Sequence, residues 1–411
     1  MRVLFLTPHF PYPPRQGASL RNWGFIRHLA SRHEVHLLSL VAPGQPVDDG
    51  AVGDVRRHLA SVTTFTVPAR PPLKRLLQLI THPAPDLTLR LWTPAFAAIL
   101  ADALGRQTFD IVQVEGLELA HYVEPFLRAR RNAPAWVYDA HNAEAELQHS
   151  IWRADAGHPR RWWAAAYSFI QWQKLRRYER RWLPRFDALL CVSPEDREAL
   201  RRTAGVEAVV VPNGVDTDYF APGRFAPAPE MADHPSVVFT GKMDFRPNVD
   251  GVLWFAREVW PRVRRACPEA HFWVVGQRPA RAVRALHGRD HIIVTGAVPA
   301  VEPYVAGATV FVAPLRMGSG TRLKLLQALS LERPAVSTRL GCAGLGAHDG
   351  VHLRVADTPA DFAGAVVELL EDGSRAACLG RAGRSMVRER FDWRVVLPRL
   401  EALYDRLDRR R

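Results

Sequence analysis

The feature that most constrains this chain is an alternation that runs from end to end. Short runs of β-branched and apolar residues occur at 3–8, 35–40, 63–67, 111–114, 136–140 and 188–192 in the first half. They recur at 237–241, 271–276, 292–296, 310–314, 335–338 and 353–355 in the second. Between them lie stretches with apolar residues at three- and four-residue spacing, such as 20–31, 250–266 and 322–331. A strand followed by a helix followed by another strand returns the chain in the same direction. The pattern therefore predicts an α/β fold of parallel sheets with helices on both faces.

The alternation breaks once. Pro212-Asn213-Gly214 is a turn cluster, and 220–230 is Pro-rich without periodicity. We read 213–235 as a linker between an N-terminal domain, 1–212, and a C-terminal domain, 236–385. Two open α/β domains in one chain are expected to frame a cleft at the C-terminal ends of their strands, where such sheets bind ligands.

Composition excludes other classes. With 47% hydrophobic and 24% charged residues the chain is not expected to be disordered, and no run approaches the about 18 consecutive apolar residues of a membrane-spanning helix. The opening Met1–Pro8 reads as a strand and not as a secretory signal, so the expected location is the cytoplasm. The four cysteines form no CxxC pair, which argues for free thiols and against structural zinc. The net charge is +13, and residues 151–185 hold nine basic and two acidic residues together with five of the twelve tryptophans. This segment reads as a long helix preceded by a loop. One reading is a contact with an anionic membrane surface, on the inner face of the membrane. The other is a helix packed on its own domain with Trp172, Leu175 and Trp182 inward. No nucleic-acid-binding motif accompanies the charge, so no nucleic acid partner is expected.

Four stretches carry chemistry. After a strand ending at Pro314, Gly318 and Gly320 form a glycine loop and a helix begins near Thr321, with Lys324 in its first turn. Helix-start N–H groups and a nearby ammonium are a phosphate-binding arrangement, although a bare strand-to-helix turn has the same pattern. Lys242 and Arg246 follow the strand ending at Gly241 and could clamp a diphosphate, or be solvated. The strand ending at Ala140 delivers Asp139 and His141 to a sheet edge, where a histidine is either a substrate contact or a structural residue. The first strand breaks into Pro11-Tyr-Pro-Pro-Arg-Gln-Gly17, with Arg21 after it and no dinucleotide fingerprint.

These stretches, with Asp139-Ala-His-Asn-Ala-Glu144, Val211-Pro-Asn-Gly-Val-Asp216 and Phe239-Thr-Gly-Lys-Met-Asp-Phe-Arg-Pro-Asn248 in order, resemble the retaining glycosyltransferases of family 4, group 1. Within that family the nearest pattern is that of bacterial exopolysaccharide-associated sugar transferases. The resemblance covers nearly the whole chain. It implies a GT-B fold, with two Rossmann-like domains and a C-terminal helix, 386–411, crossing back to the first. It implies a nucleotide-diphosphate sugar as co-substrate, a glycan or lipid-linked acceptor, and no metal or other cofactor. By the same resemblance His141, Gly17 and Lys324 are the catalytic positions. Lys242, Arg246, Gly318, Gly320, Thr321 and Arg322 would hold the donor diphosphate.

One position departs from the family pattern. The family's paired glutamates fall here on Ser319 and Gln327. The second usually accepts hydrogen bonds from the donor ribose; an amide oxygen at Gln327 can accept without charge assistance, at a cost of about 1 kcal/mol. The substitution leaves open a second hypothesis, a homologue that binds nucleotide, lipid or a partner without turnover. An epimerase or hydrolase on the same scaffold is disfavoured by the missing carboxylates.

Overall fold

The computed structural model describes residues 1–14, 17–43, 48–127, 134–157, 161–318 and 322–409. They form two compact units, one of residues 1–212 with 397–411 and one of residues 213–396. Each is built on its own parallel sheet with its own apolar core.

The first sheet comprises β1 (Arg2–Thr7), β2 (Glu34–Val41), β3 (Ser61–Thr66), β4 (Ile111–Glu115), β5 (Ala135–Ala140), β6 (Ala188–Cys191) and β7 (Val209–Val210) in the order 3-2-1-4-5-6-7. The second comprises β8 (Ser236–Thr240), β9 (His271–Val275), β10 (Ile292–Gly296), β11 (Val310–Ala313), β12 (Ala335–Ser337) and β13 (Arg354–Val355) in the order 10-9-8-11-12-13. Every described pairing is parallel. Central strands β4, β5 and β8 are buried at every position, because helices cover both faces. Edge strand β3 is mostly exposed or half-buried. In both sheets the order reverses beside the first strand, between β1 and β4 and between β8 and β11. Open α/β sheets bind ligands at that reversal.

All twelve expected strands coincide with observed ones. β7 was not expected; two residues carry too little periodicity to be read.

The expected linker 213–235 is instead packed into the second unit. The Phe220 carbonyl accepts from Ser330 Oγ at 2.9 Å and Arg384 at 3.1 Å, the Ala228 amide donates to the Pro303 carbonyl at 3.1 Å, and Phe220 and Met231 are buried. Apolar residues among the prolines drive this, and a Pro-rich segment needs no periodicity to pack. The closing segment also divides differently from the expected 386–411. Asp392 accepts from Thr217 and the Val215 amide donates to Phe391, which keeps 386–396 with the second unit. The helix Trp393–Asp408 enters the first unit only from Leu397.

The 151–185 segment is two helices, Glu144–Ala156 and Trp162–Trp182, rather than a loop and one helix. Leu175 and Trp182 are buried, and Trp172 stacks with both His149 and Trp152, which also stack with each other.

Candidate active site

In the first unit the chemistry gathers where β4 and β5 end side by side. Glu115 and Asp139 are register partners on these strands, and both side chains are fully buried. Two adjacent buried carboxylates would repel strongly unless each were compensated. Arg21, in the second turn of the helix Gly17–Ala30, supplies the first compensation. Its Nε and Nη2 donate to the two oxygens of Asp139 at 2.7 and 2.8 Å, a bidentate fork. Its Nη1 donates to the carbonyls of Val211 and Pro212 at 2.8 and 3.2 Å. Burial opposes ionisation of Asp139, and the guanidinium outweighs it, so the carboxyl sits below the ordinary value.

His141 compensates Glu115. Its Nε2 lies 3.0 Å from Glu115 Oε2. The Gln113 amide donates to Glu115 Oε1 at 2.6 Å, and the Asn22 amide, turned so that its nitrogen faces inward, donates to Oε2 at 2.9 Å. Burial and then the Asp139 charge raise the proton affinity of Glu115. Burial lowers that of His141, but the bond to Glu115 and the Asp139 charge overcome it and the net shift is upward. Glu144, which starts the next helix, is pushed up to about 7 by burial and then by the charge of Glu118.

The ligating atoms of Glu115, Asp139 and His141 all lie within 4.8 Å of one another, a grouping that could in principle take a metal ion. Their partners argue otherwise: both oxygens of Asp139 accept from Arg21, and both oxygens of Glu115 face protein donors. The arrangement is a closed ion-pair network.

In the second unit the corresponding position lies beyond β8 and β11. The helix Leu323–Ser330 starts here with Arg322 at its N-cap. Lys324 Nζ donates to Asn248 Oδ1 at 2.9 Å and lies 4.1 Å above the Phe239 ring. Asn248 in turn donates to the Lys242 carbonyl at 2.9 Å, so one amide joins the two loops that carry the expected cations. Burial, and secondarily the Arg322 charge, lower the Lys324 ammonium to about 7. Gly318 has φ 122°, and a Cβ there would sit 2.6 Å from Arg322 Nη2. The loop after β11 is braced by Arg316, whose guanidinium donates to Asp250 at 2.8 and 3.0 Å.

The expected residues thus fall into two groups. Gly17 and His141 belong to the first unit, where Gly17 opens the helix that carries Arg21 and Asn22. Lys242, Arg246, Gly318, Arg322, Lys324 and Gln327 belong to the second; Gly320 and Thr321 lie outside the described residues. Gly318, Arg322 and Lys324 cluster. The Lys242 side chain turns to Asp244 at 3.6 Å, Arg246 begins the helix Arg246–Trp254, and Gln327 lies one turn beyond Lys324. Glu115, Asn22 and Asn248 were not singled out from sequence. For Asn248 the signal was its place in the loop motif; for Glu115 there was none beyond an acidic residue ending a buried strand.

Residues 15–219 match the model described as Glycosyltransferase Family 4, and residues 234–372 match that of Glycosyl transferases group 1. The chain belongs to glycosyltransferase family 4, group 1.

Among sequenced relatives, a GDP-mannose-dependent alpha-(1-6)-phosphatidylinositol monomannoside mannosyltransferase of Mycolicibacterium smegmatis is 32% identical over 239 residues, 53% of this chain and 62% of that protein. The phosphatidyl-myo-inositol mannosyltransferase of Mycobacterium leprae is 28% identical over 236 residues, 55% of this chain and 61% of that protein. In both cases less than two thirds of the relative's own length is matched. An uncharacterized 44.6 kDa protein in the cps region of Klebsiella pneumoniae is 25% identical over 171 residues, 39% of this chain and 44% of that protein.

Among solved structures, sucrose-phosphate synthase from Thermosynechococcus elongatus has a TM-score of 0.72 at 17% identity, covering 100% of both chains. Anabaena HepE in complex with UDP and glucose has a TM-score of 0.69 at 14% identity, covering 99% of this family 4 chain and 100% of its own. At such identities the likeness is one of fold, and the fold is GT-B.

Proposed function

We propose that this chain is a retaining, metal-independent glycosyltransferase that moves a sugar from a nucleotide-diphosphate sugar to a hydroxyl of a glycan or lipid-linked acceptor. The observation that carries the reading is the cluster of Lys324, Arg322 and Gly318 at the start of the helix Leu323–Ser330, at the reversal point of the second sheet. A helix N-terminus carries partial positive charge, and two cations beside it match the charge that develops on a departing diphosphate. An ammonium already short of its ordinary proton affinity is restored to full charge by that anion.

The proposed step breaks the bond between the anomeric carbon and the diphosphate oxygen. The acceptor hydroxyl forms the new bond on the same face, and the leaving phosphate takes its proton. Gly17 and His141 would contact the sugar or acceptor, Lys242 and Arg246 the diphosphate, and Gln327 the ribose. The mannosyltransferase relatives make GDP-mannose the first donor to try, and the motif pattern keeps exopolysaccharide synthesis as a proposed role. The test is a thermal shift series with GDP, UDP, ADP and their sugars, with and without EDTA, followed by a transfer assay with the donor that responds. A ligand at a hundred times its Kd adds about 2.7 kcal/mol. Silence across the series would favour a homologue without turnover.

A second reading concerns the acceptor's setting, and it rests on the helix Trp162–Trp182. Its first half is inverted: Ala165, Ser168 and Gln171 are buried, whereas Trp162, Trp163, Phe169 and Ile170 are exposed. Its second half exposes Arg176, Arg177, Arg180 and Arg181. Aromatic rings at headgroup depth with guanidinium groups beside them suit an anionic lipid surface. Among the described residues no helix is long and apolar enough to cross a membrane. Sedimentation with phosphatidylglycerol vesicles tests this: Trp162→Ser with Trp163→Ser is expected to lower binding at least about tenfold, and unchanged binding would end the reading.

A further inference from the structure

The network around His141 does not stop at Glu115. Tyr404, on the closing helix Trp393–Asp408, is fully buried, and its hydroxyl donates to Gln113 Oε1. Gln113 Nε2 donates to Glu115 Oε1, and Glu115 Oε2 meets His141 Nε2. Tyr404, Gln113 and Glu115 have no solvent exposure, and all four side chains belong to the first unit. The hydrogen bonds give the chain its direction. The Tyr404 hydroxyl donates to the Gln113 oxygen, and the Gln113 nitrogen donates to Glu115 Oε1, the orientation required when Glu115 carries its charge opposite His141. The other Glu115 oxygen faces the imidazole, which places a proton on Nε2 of His141 and leaves Nδ1 for a substrate. A buried amide with both ends committed cannot flip without stranding two polar groups.

We infer that Tyr404, Gln113 and Glu115 are positioning residues that fix the ring orientation and tautomer of His141, so that the closing helix helps to set the reacting geometry of the first unit. The inference rests on the proposed role of His141 in sugar transfer.

The test uses the full chain labelled with 15N-histidine. In the wild type the His141 resonances should show the Nε2–H form. Glu115→Gln and Tyr404→Phe should each move them, and should lower kcat by about a hundredfold and about tenfold while leaving the donor KM unchanged. Glu401→Gln is the control. Glu401 lies on the same helix but pairs with His28 and Arg32, so its loss loosens the helix without touching the chain to His141. Unmoved His141 resonances in either relay variant would overturn the inference, as would equal movement in Glu401→Gln. The two relay variants act at different links, so either one that folds decides. If no sugar donor supports turnover, the nitrogen resonances still decide the positioning, and only the transferase reading fails.

Discussion

Replacing Lys324 by methionine should separate stability from binding. Holding an ammonium at about 7 instead of its ordinary 10.5 amounts to roughly 5 kcal/mol of burial penalty. Lys324 is only partly buried, so hydration of the head group trims that figure. The hydrogen bond to Asn248 and the contact with the Phe239 ring offset about half of the rest. Methionine keeps the stem and discards the charge. The net gain for the ligand-free protein at pH 7 is about 2 kcal/mol, a rise in Tm of about 4–8 °C for a unit of this size. The pH dependence has a fixed sign. Below about pH 7 the lysine is protonated in both folded and unfolded chains and the penalty is complete. Between about 7 and 10.5 only the unfolded chain keeps the proton, so the penalty shrinks as pH rises. The advantage of Lys324→Met should therefore be largest at pH 6–7 and fade toward pH 10. Calorimetry of the full chain across that range reads both effects. Calorimetric titration with nucleoside diphosphate at pH 8, in buffers of different ionisation enthalpy, should show uptake of about one proton by the wild type and no binding by the variant. A variant that is less stable at pH 7, or an advantage that does not fade with pH, would refute the burial argument. Retained nucleotide affinity would refute the diphosphate assignment.

Gln327→Glu should tighten nucleotide binding by up to about tenfold, since a carboxylate strengthens hydrogen bonds from ribose hydroxyls; equal Kd values by titration would remove Gln327 from the ribose site. Arg21→Met leaves Asp139 buried without its fork, and denaturant unfolding should register a loss of about 3–5 kcal/mol. Gly276 has φ 149°, and a Cβ there would overlap the Gly241 carbonyl oxygen. Gly276→Ala should therefore lower Tm by several degrees, and a neutral result would mean that the β8 and β9 loop ends are not held together.

Some of this protein was written locally. The alternation of strand and helix is a property of neighbouring residues, so it placed the parallel sheets and their central strands without any contact being known. The helix starting at Leu323 and the cations beside it were legible for the same reason: a strand-to-helix turn is built from consecutive residues. The double character of 151–185 was also visible as composition, but composition does not say which side of a helix turns inward. Only packing decided that Ala165 and Ser168 face the core while Trp162 and Trp163 do not.

The partners of the charged groups were decided by tertiary structure alone. Arg21 meets Asp139 across 118 positions of sequence, Lys324 meets Asn248 across 76, and Tyr404 meets Gln113 across 291. No periodicity links such residues. They meet because strand order in a parallel sheet brings distant segments side by side, and because a buried charge is stable only where the fold supplies its counter-charge.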